Sequence, residues 1–82
     1  MKEKQIVLCN LDKIHTTVLG KKRIQKNLNI QDDVISYLIK LIQIKESVVY
    51  QKGKNYYCSI DSILITINSY NYCVITAHKK EI

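Results

Sequence analysis

The sequence predicts an α+β domain: about three N-terminal helices packed on one face of a four-stranded antiparallel meander. Three observations carry this. Apolar residues recur at helical spacing up to about residue 44, then change to period-two alternation from Ser47 onward. The strand-like runs are joined by short turn-forming stretches such as Gln51-Lys52-Gly53-Lys54-Asn55 and Asp61-Ser62. The chain has 82 residues, and one this short buries roughly 60% of its unfolded surface, enough for one core and two layers. Residues 1–82 therefore read as a single domain, helical over about 4–45 and sheet over about 47–79.

Val7, Leu11 and Ile14 fall at i, i+4, i+7 and mark a short first helix over about 4–14. Its stripe breaks at His15-Thr16-Thr17, where Thr16 or Thr17 can cap a second helix. That helix spans about 18–28, with Leu19, Ile24 and Leu28 inward. Gly20 weakens it slightly or admits a close neighbour. Asn29 can close it, and Asp32 can cap the third helix, which runs over about 33–44. Val34, Ile35, Leu38, Ile39, Leu41 and Ile42 give that helix a continuous apolar face. Its early aspartates and late lysines suit the helix dipole.

Val48 to Tyr50 reads as the first strand and Tyr56 to Ile60 as the second. The most regular pattern follows. Ile63, Ile65 and Ile67 alternate with Leu64, Thr66 and Asn68; Cys73, Ile75 and Ala77 alternate with Tyr72, Val74, Thr76 and His78. Keeping the apolar sets on one face pairs Ile67 with Cys73, Ile65 with Ile75 and Ile63 with Ala77. The loop is then Ser69-Tyr70-Asn71, with Asn71 left-handed. The other face carries Thr66 across from Val74, Leu64 across from Thr76, and Ser62 across from His78. No further segment is left to cover that face, so it is either solvated or a working surface.

Thirteen Lys and Arg against seven Asp and Glu give a net charge of +6. A small basic domain favours polyanions such as RNA through counterion release. The abundance of Ile, Lys, Asn and Tyr also fits AT-rich codons. Cys9, Cys58 and Cys73 are widely spaced and include no Cys-x-x-Cys, which argues against a zinc site and for reduced thiols in a cytoplasmic protein. No signal peptide or membrane-length apolar run is expected. There is no phosphate-binding glycine loop, no His-Glu-x-x-His and no usefully spaced carboxylate pair, so no metal or cofactor is expected.

Two histidines remain, His15 and His78, and an unperturbed imidazole titrates near neutrality. Either can simply be structural. Both, however, lie at element ends beside hydroxyl residues, with Thr17 near His15 and Thr66 and Thr76 on the face of His78. Lys22, Arg23, Lys52, Lys54 and Lys79 offer cations from three segments. Metal-free RNA cleavage needs such a set: a base for the 2′-hydroxyl, an acid for the leaving oxygen, and cations for the phosphorane. Tyr56, Tyr57, Tyr70 and Tyr72, chiefly Tyr57 and Tyr72, can stack bases, although tyrosine is common in strands for packing alone.

Three stretches carry a resemblance. They are His15-Thr16-Thr17-x-Leu19-Gly20-x-x-Arg23-Ile24-x-x-Asn27-Leu28, Lys52-Gly53-Lys54-Asn55-x-Tyr57, and Ile65-Thr66-Ile67-Asn68-x-x-x-Tyr72-x-x-Ile75-Thr76-Ala77-His78-Lys79. Together they resemble a family of small bacterial and phage proteins classed as a domain of unknown function, in which Trp is common where this chain has Tyr56. That resemblance covers most of the chain and implies no activity. More loosely, helices followed by four strands and a terminal Ile-Thr-x-His resemble the Barnase–EndoU–colicin–RelE-like ribonucleases, by layout alone. This second resemblance implies His15 and His78 as acid and base in unassigned order, Arg23, Lys52 and Lys54 as phosphate ligands, and Thr66 and Thr76 as orienting groups.

Three functions are consistent with these features. The first is a metal-independent endoribonuclease of toxin or phage-effector type. The second is a non-catalytic module that binds nucleic acid or a nucleotide through the same basic residues. The third is a mobile-element inhibitor that binds a protein through the open sheet face or an edge strand. An edge strand rich in Tyr and Val can also pair with a second copy as a homodimer.

Overall fold

The computed structural model describes residues 2–31 and 33–80. Helix α1 spans Lys2–Leu8, a single 3₁₀ turn Leu11–Lys13, α2 Val18–Leu28 and α3 Val34–Gln43. Four strands follow: β1 Val48–Lys52, β2 Asn55–Ile60, β3 Ile63–Asn68 and β4 Val74–Lys79. They form one antiparallel sheet in the order β1-β2-β3-β4. This is the α+β meander that the change of period predicts. Helix α1 packs on β1, α3 on β2 and α2 on β4. The core between the layers is built from Val7, Ile24, Leu38 and Ile42 on the helical side and Cys58, Ile65, Ile67 and Ala77 on the sheet side. Among the described residues no helix is long and apolar enough to cross a membrane.

The first helix is shorter than its stripe suggests. The Asn10 amide donates to the Ile6 carbonyl at 2.8 Å, which closes α1 at Leu8. The chain then re-forms as the 3₁₀ turn, so Val7 and Ile14 are buried but Leu11 only half so. Helix α2 has the predicted ends. The Thr17 hydroxyl accepts from the Gly20 N–H at 3.0 Å, and Asn29 closes the helix at φ 55°. Its inner face is Gly20, Ile24 and Leu28, at i, i+4, i+8; Leu19 is instead 71% exposed. Gly20 wins the inner position because a Cβ there would run into Thr16 Oγ1.

Asp32 lies outside the described residues, so its predicted capping role does too. The residue preceding α3 is Asp33, whose carboxylate accepts from Ser36 Oγ at 2.7 Å. That hydrogen bond holds the Asp33 carboxyl below its ordinary range. At the other end of α3, the Lys4 ammonium donates to the carbonyls of Ile44, Lys45 and Ser47 at 3.0, 3.1 and 2.7 Å. A cation on α1 thus ties down the turn that leads from α3 into β1.

The β1–β2 turn has two residues, Gly53 and Lys54, with Gly53 at φ 62°. Glycine first with positive φ is the signature of a type II′ hairpin. The β3–β4 register differs from the expected one. Ile65 pairs with Ala77 and Leu64 with His78, and a bulge then sets Thr66 against Thr76 but Ile67 against Val74. Ile75 is the extra residue. The bulge lets Val74 and Ala77 both face the core, leaving Ile75 exposed and Cys73 half-buried. The left-handed residue in the loop is Tyr72 (φ 59°), not Asn71. Side-chain turns explain this. Asn68 Oδ1 accepts from the N–H groups of Tyr70 and Asn71, and Asn71 Oδ1 from that of Cys73.

Candidate nucleic-acid interface

In a meander, alternate turns lie at the same end of the sheet. The β1–β2 turn and the β3–β4 loop are therefore neighbours here, and they are tied together. The Ser69 N–H and the Ser69 hydroxyl both donate to the Lys54 carbonyl, at 2.9 and 2.8 Å. A third segment joins them. His15 forms a parallel bridge with Cys73: its N–H donates to the Tyr72 carbonyl at 3.2 Å, and its carbonyl accepts from Val74 at 2.7 Å. The Thr16 hydroxyl adds a bond to the Val74 carbonyl at 2.9 Å.

These ties gather cations and rings at one end of the molecule. Lys52 and Lys54 are exposed on their turn, and Tyr70 is 77% exposed on its loop. The Lys13 ammonium sits 5.9 Å from the Tyr72 ring centroid, within cation–π range. The Tyr72 ring in turn stacks on Tyr56 at 6.3 Å. Burial, with smaller contributions from Tyr72 and Glu3, pushes the Tyr56 phenol above its ordinary range. The exposed His15 ring places Nδ1 2.9 Å from the Lys13 carbonyl. A carbonyl only accepts, so Nδ1 carries the proton and the neutral ring keeps its Nε2 lone pair. Helix α2 begins just beyond, at Thr17, so the positive end of its dipole lies here as well.

His78 and Lys79 lie at the other end of the sheet. Cys73, the partner of His15, is five residues before His78, which separates the two along β4 by roughly 16 Å at 3.3 Å per residue. The two histidines are thus not brought around one phosphate. His78 lies opposite Leu64, with its Nδ1 buried and without a hydrogen-bond partner among the described residues. Near it, the Lys80 ammonium donates to Ser59 Oγ.

The remaining predicted residues occupy two further surfaces. Tyr57, Thr66 and Thr76 form one row across the open sheet face, next to Tyr50, whose ring stacks on Tyr57 at 5.5 Å. Lys22 and Arg23 are exposed along α2, which runs back towards His78 until the Asn27 amide meets the Ala77 carbonyl at 3.3 Å. The predicted set is therefore split: His15, Thr17, Lys52, Lys54 and Tyr72 share the turn end, while His78, Lys79, Thr66, Thr76 and Tyr57 do not. Lys13 belongs to the turn end but was not among the predicted site residues. Its position two residues before His15 was the available signal.

A small basic α+β domain with cations and tyrosines gathered on its turns is the class that this geometry defines. The chain belongs to the family described as a protein of unknown function (DUF3781), whose model matches residues 8–78. That span takes in all three tied segments of the turn end. No curated protein and no solved structure matches the chain.

Proposed function

We propose that this protein is a non-catalytic module that binds single-stranded RNA, or a similar polyanion, at the turn end of its sheet. The observation that carries the reading is the tie between segments distant in sequence: the bonds of Ser69 to Lys54 and of His15 to Tyr72 and Val74. Through them Lys13, Lys52 and Lys54 stand with Tyr70 and Tyr72. Ammonium groups neutralise phosphates, and an exposed ring offers a base a stacking platform. The chain's charge of +6 favours such a partner at longer range. The endoribonuclease reading needs His15 and His78 to act on one phosphate, so binding without cleavage is preferred.

The test is fluorescence anisotropy of a labelled single-stranded RNA over a salt series without metal. Affinity should fall with salt, and Lys52→Ala or Lys54→Ala should each reduce the log–log slope by roughly 0.7. Tyr70→Ala should cost about 1–3 kcal/mol if the ring stacks on a base. Lys79→Ala, at the far end, should change little. An equal effect of Lys79→Ala, or no salt-dependent binding, would remove the proposal. Products with 2′,3′-cyclic phosphate ends, lost in His15→Ala, would restore the nuclease reading.

A further inference from the structure

The two edges of the sheet are treated differently. On β4 part of the outward edge is covered: the Val74 groups by His15 and Thr16, and the Ala77 carbonyl by Asn27. On β1 the ladder fixes which groups face outward. A two-residue hairpin closes on a hydrogen-bonded pair, here Lys52 with Asn55, so Tyr50 with Tyr57 and Val48 with Ser59 are also bonded pairs. Val49 and Gln51 then point their N–H and C=O groups away from the sheet. Among the described residues no side chain or turn bonds to either. Ser47, the next outward residue, has its carbonyl taken by Lys4.

We infer that β1 pairs antiparallel with β1 of a second copy, about a two-fold axis at Tyr50. This register uses all four free groups, because Val49 faces the second copy's Gln51 and Gln51 its Val49. A register centred on Val49 would set Gln51 against Ser47, whose carbonyl is occupied. His15, Thr16 and Asn27 block the β4 edge at Val74 and Ala77 against a continuous added strand, so a closed pair forms rather than a filament. Side chains fit the same register. Tyr50, 43% exposed, meets its own copy on the open face and extends the Tyr57–Tyr50 stack across the axis. Val48, 54% exposed, lies opposite the second copy's Lys52, whose aliphatic stem can cover it. The exposed Ile44 lies just ahead of the pairing strand.

Sedimentation equilibrium of the full chain without nucleic acid tests this independently of RNA binding. Twice the monomer mass is expected for the wild type. Gln51→Pro should give the monomer mass with an unchanged circular dichroism spectrum, since that N–H faces outward and the β1–β2 ladder does not use it. A wild type that stays monomeric, or a Gln51→Pro variant that stays dimeric, would overturn the inference.

Discussion

Ser69 gives two hydrogen bonds to the carbonyl of Lys54, one from its backbone and one from its hydroxyl. These residues belong to different hairpins, so the contact sets the distance between the Lys52–Lys54 turn and the Tyr70–Tyr72 loop. Ser69→Ala removes the hydroxyl bond and keeps the other. The expected loss of stability is about 1 kcal/mol or less, because the site is exposed. RNA affinity should drop although Ser69 carries no charge. Urea denaturation and anisotropy check the two effects, and unchanged affinity would separate the loop tie from binding.

Gly20→Ala should destabilise the protein by roughly 1–3 kcal/mol, the usual cost of overpacking. Alanine is the better helix former, so propensity alone predicts the opposite sign. The new methyl would meet Thr16 Oγ1, which is held by its bond to Val74. Thr16→Ala in the same chain should recover part of the loss, and the two changes should not add. Strict additivity in thermal melts would show that Thr16 is not the obstacle.

Stability should fall at alkaline pH. The Cys58 thiol is fully buried, and burial pushes its ionisation up, against weaker opposing effects of a Ser47 hydrogen bond and Lys4. Unfolded, such a thiol ionises near pH 8.5. The contribution is therefore complete below that pH and is lost as pH rises towards the folded value. The buried Tyr56 phenol acts in the same direction at higher pH. Urea midpoints from pH 7 to 10 should decline, and Cys58→Ala should flatten the decline between pH 8.5 and 10. An unflattened profile would rule Cys58 out as its source. A thiol reagent should label exposed Cys9 first and Cys58 only on unfolding.

His78→Leu should leave stability unchanged or raise it by up to about 1 kcal/mol. The substitution removes a buried ring nitrogen that has no partner among the described residues, and no hydrogen bond to those residues is lost with it. RNA binding at the turn end should be unaffected. A marked drop in affinity would return His78 to the functional set and argue for a site that spans the length of β4.

Much of the fold was legible because single faces dominate its elements. The stripe of α3 and the alternation of β3 admit few alternatives, and Thr17 and Asn29 mark both ends of α2. What the pattern did not reveal depends on contacts across the chain. Gly20 is inward because of Thr16, and Ile75 is skipped because Val74 and Ala77 pack better together. The candidate site suffered from the same limit. His15 and His78 look alike in sequence, each beside threonines, but only pairing with β4 shows that they mark its opposite ends. Lys13 gains meaning once Tyr72 turns its ring towards it.

The contact of Thr16 with the β4 edge also bears on the order of synthesis. Thr16 and Val74 lie 58 positions apart and bond directly. The helices are made first, yet Ile24 and Leu28 of α2 have no sheet to rest on until the last strand emerges. Closing so long a loop brings its reward only at the end, which slows folding. A chain ending before Val74 should leave the inner face of α2 open to solvent and be cut readily by protease. The stability of α2 thereby waits on the emergence of β4.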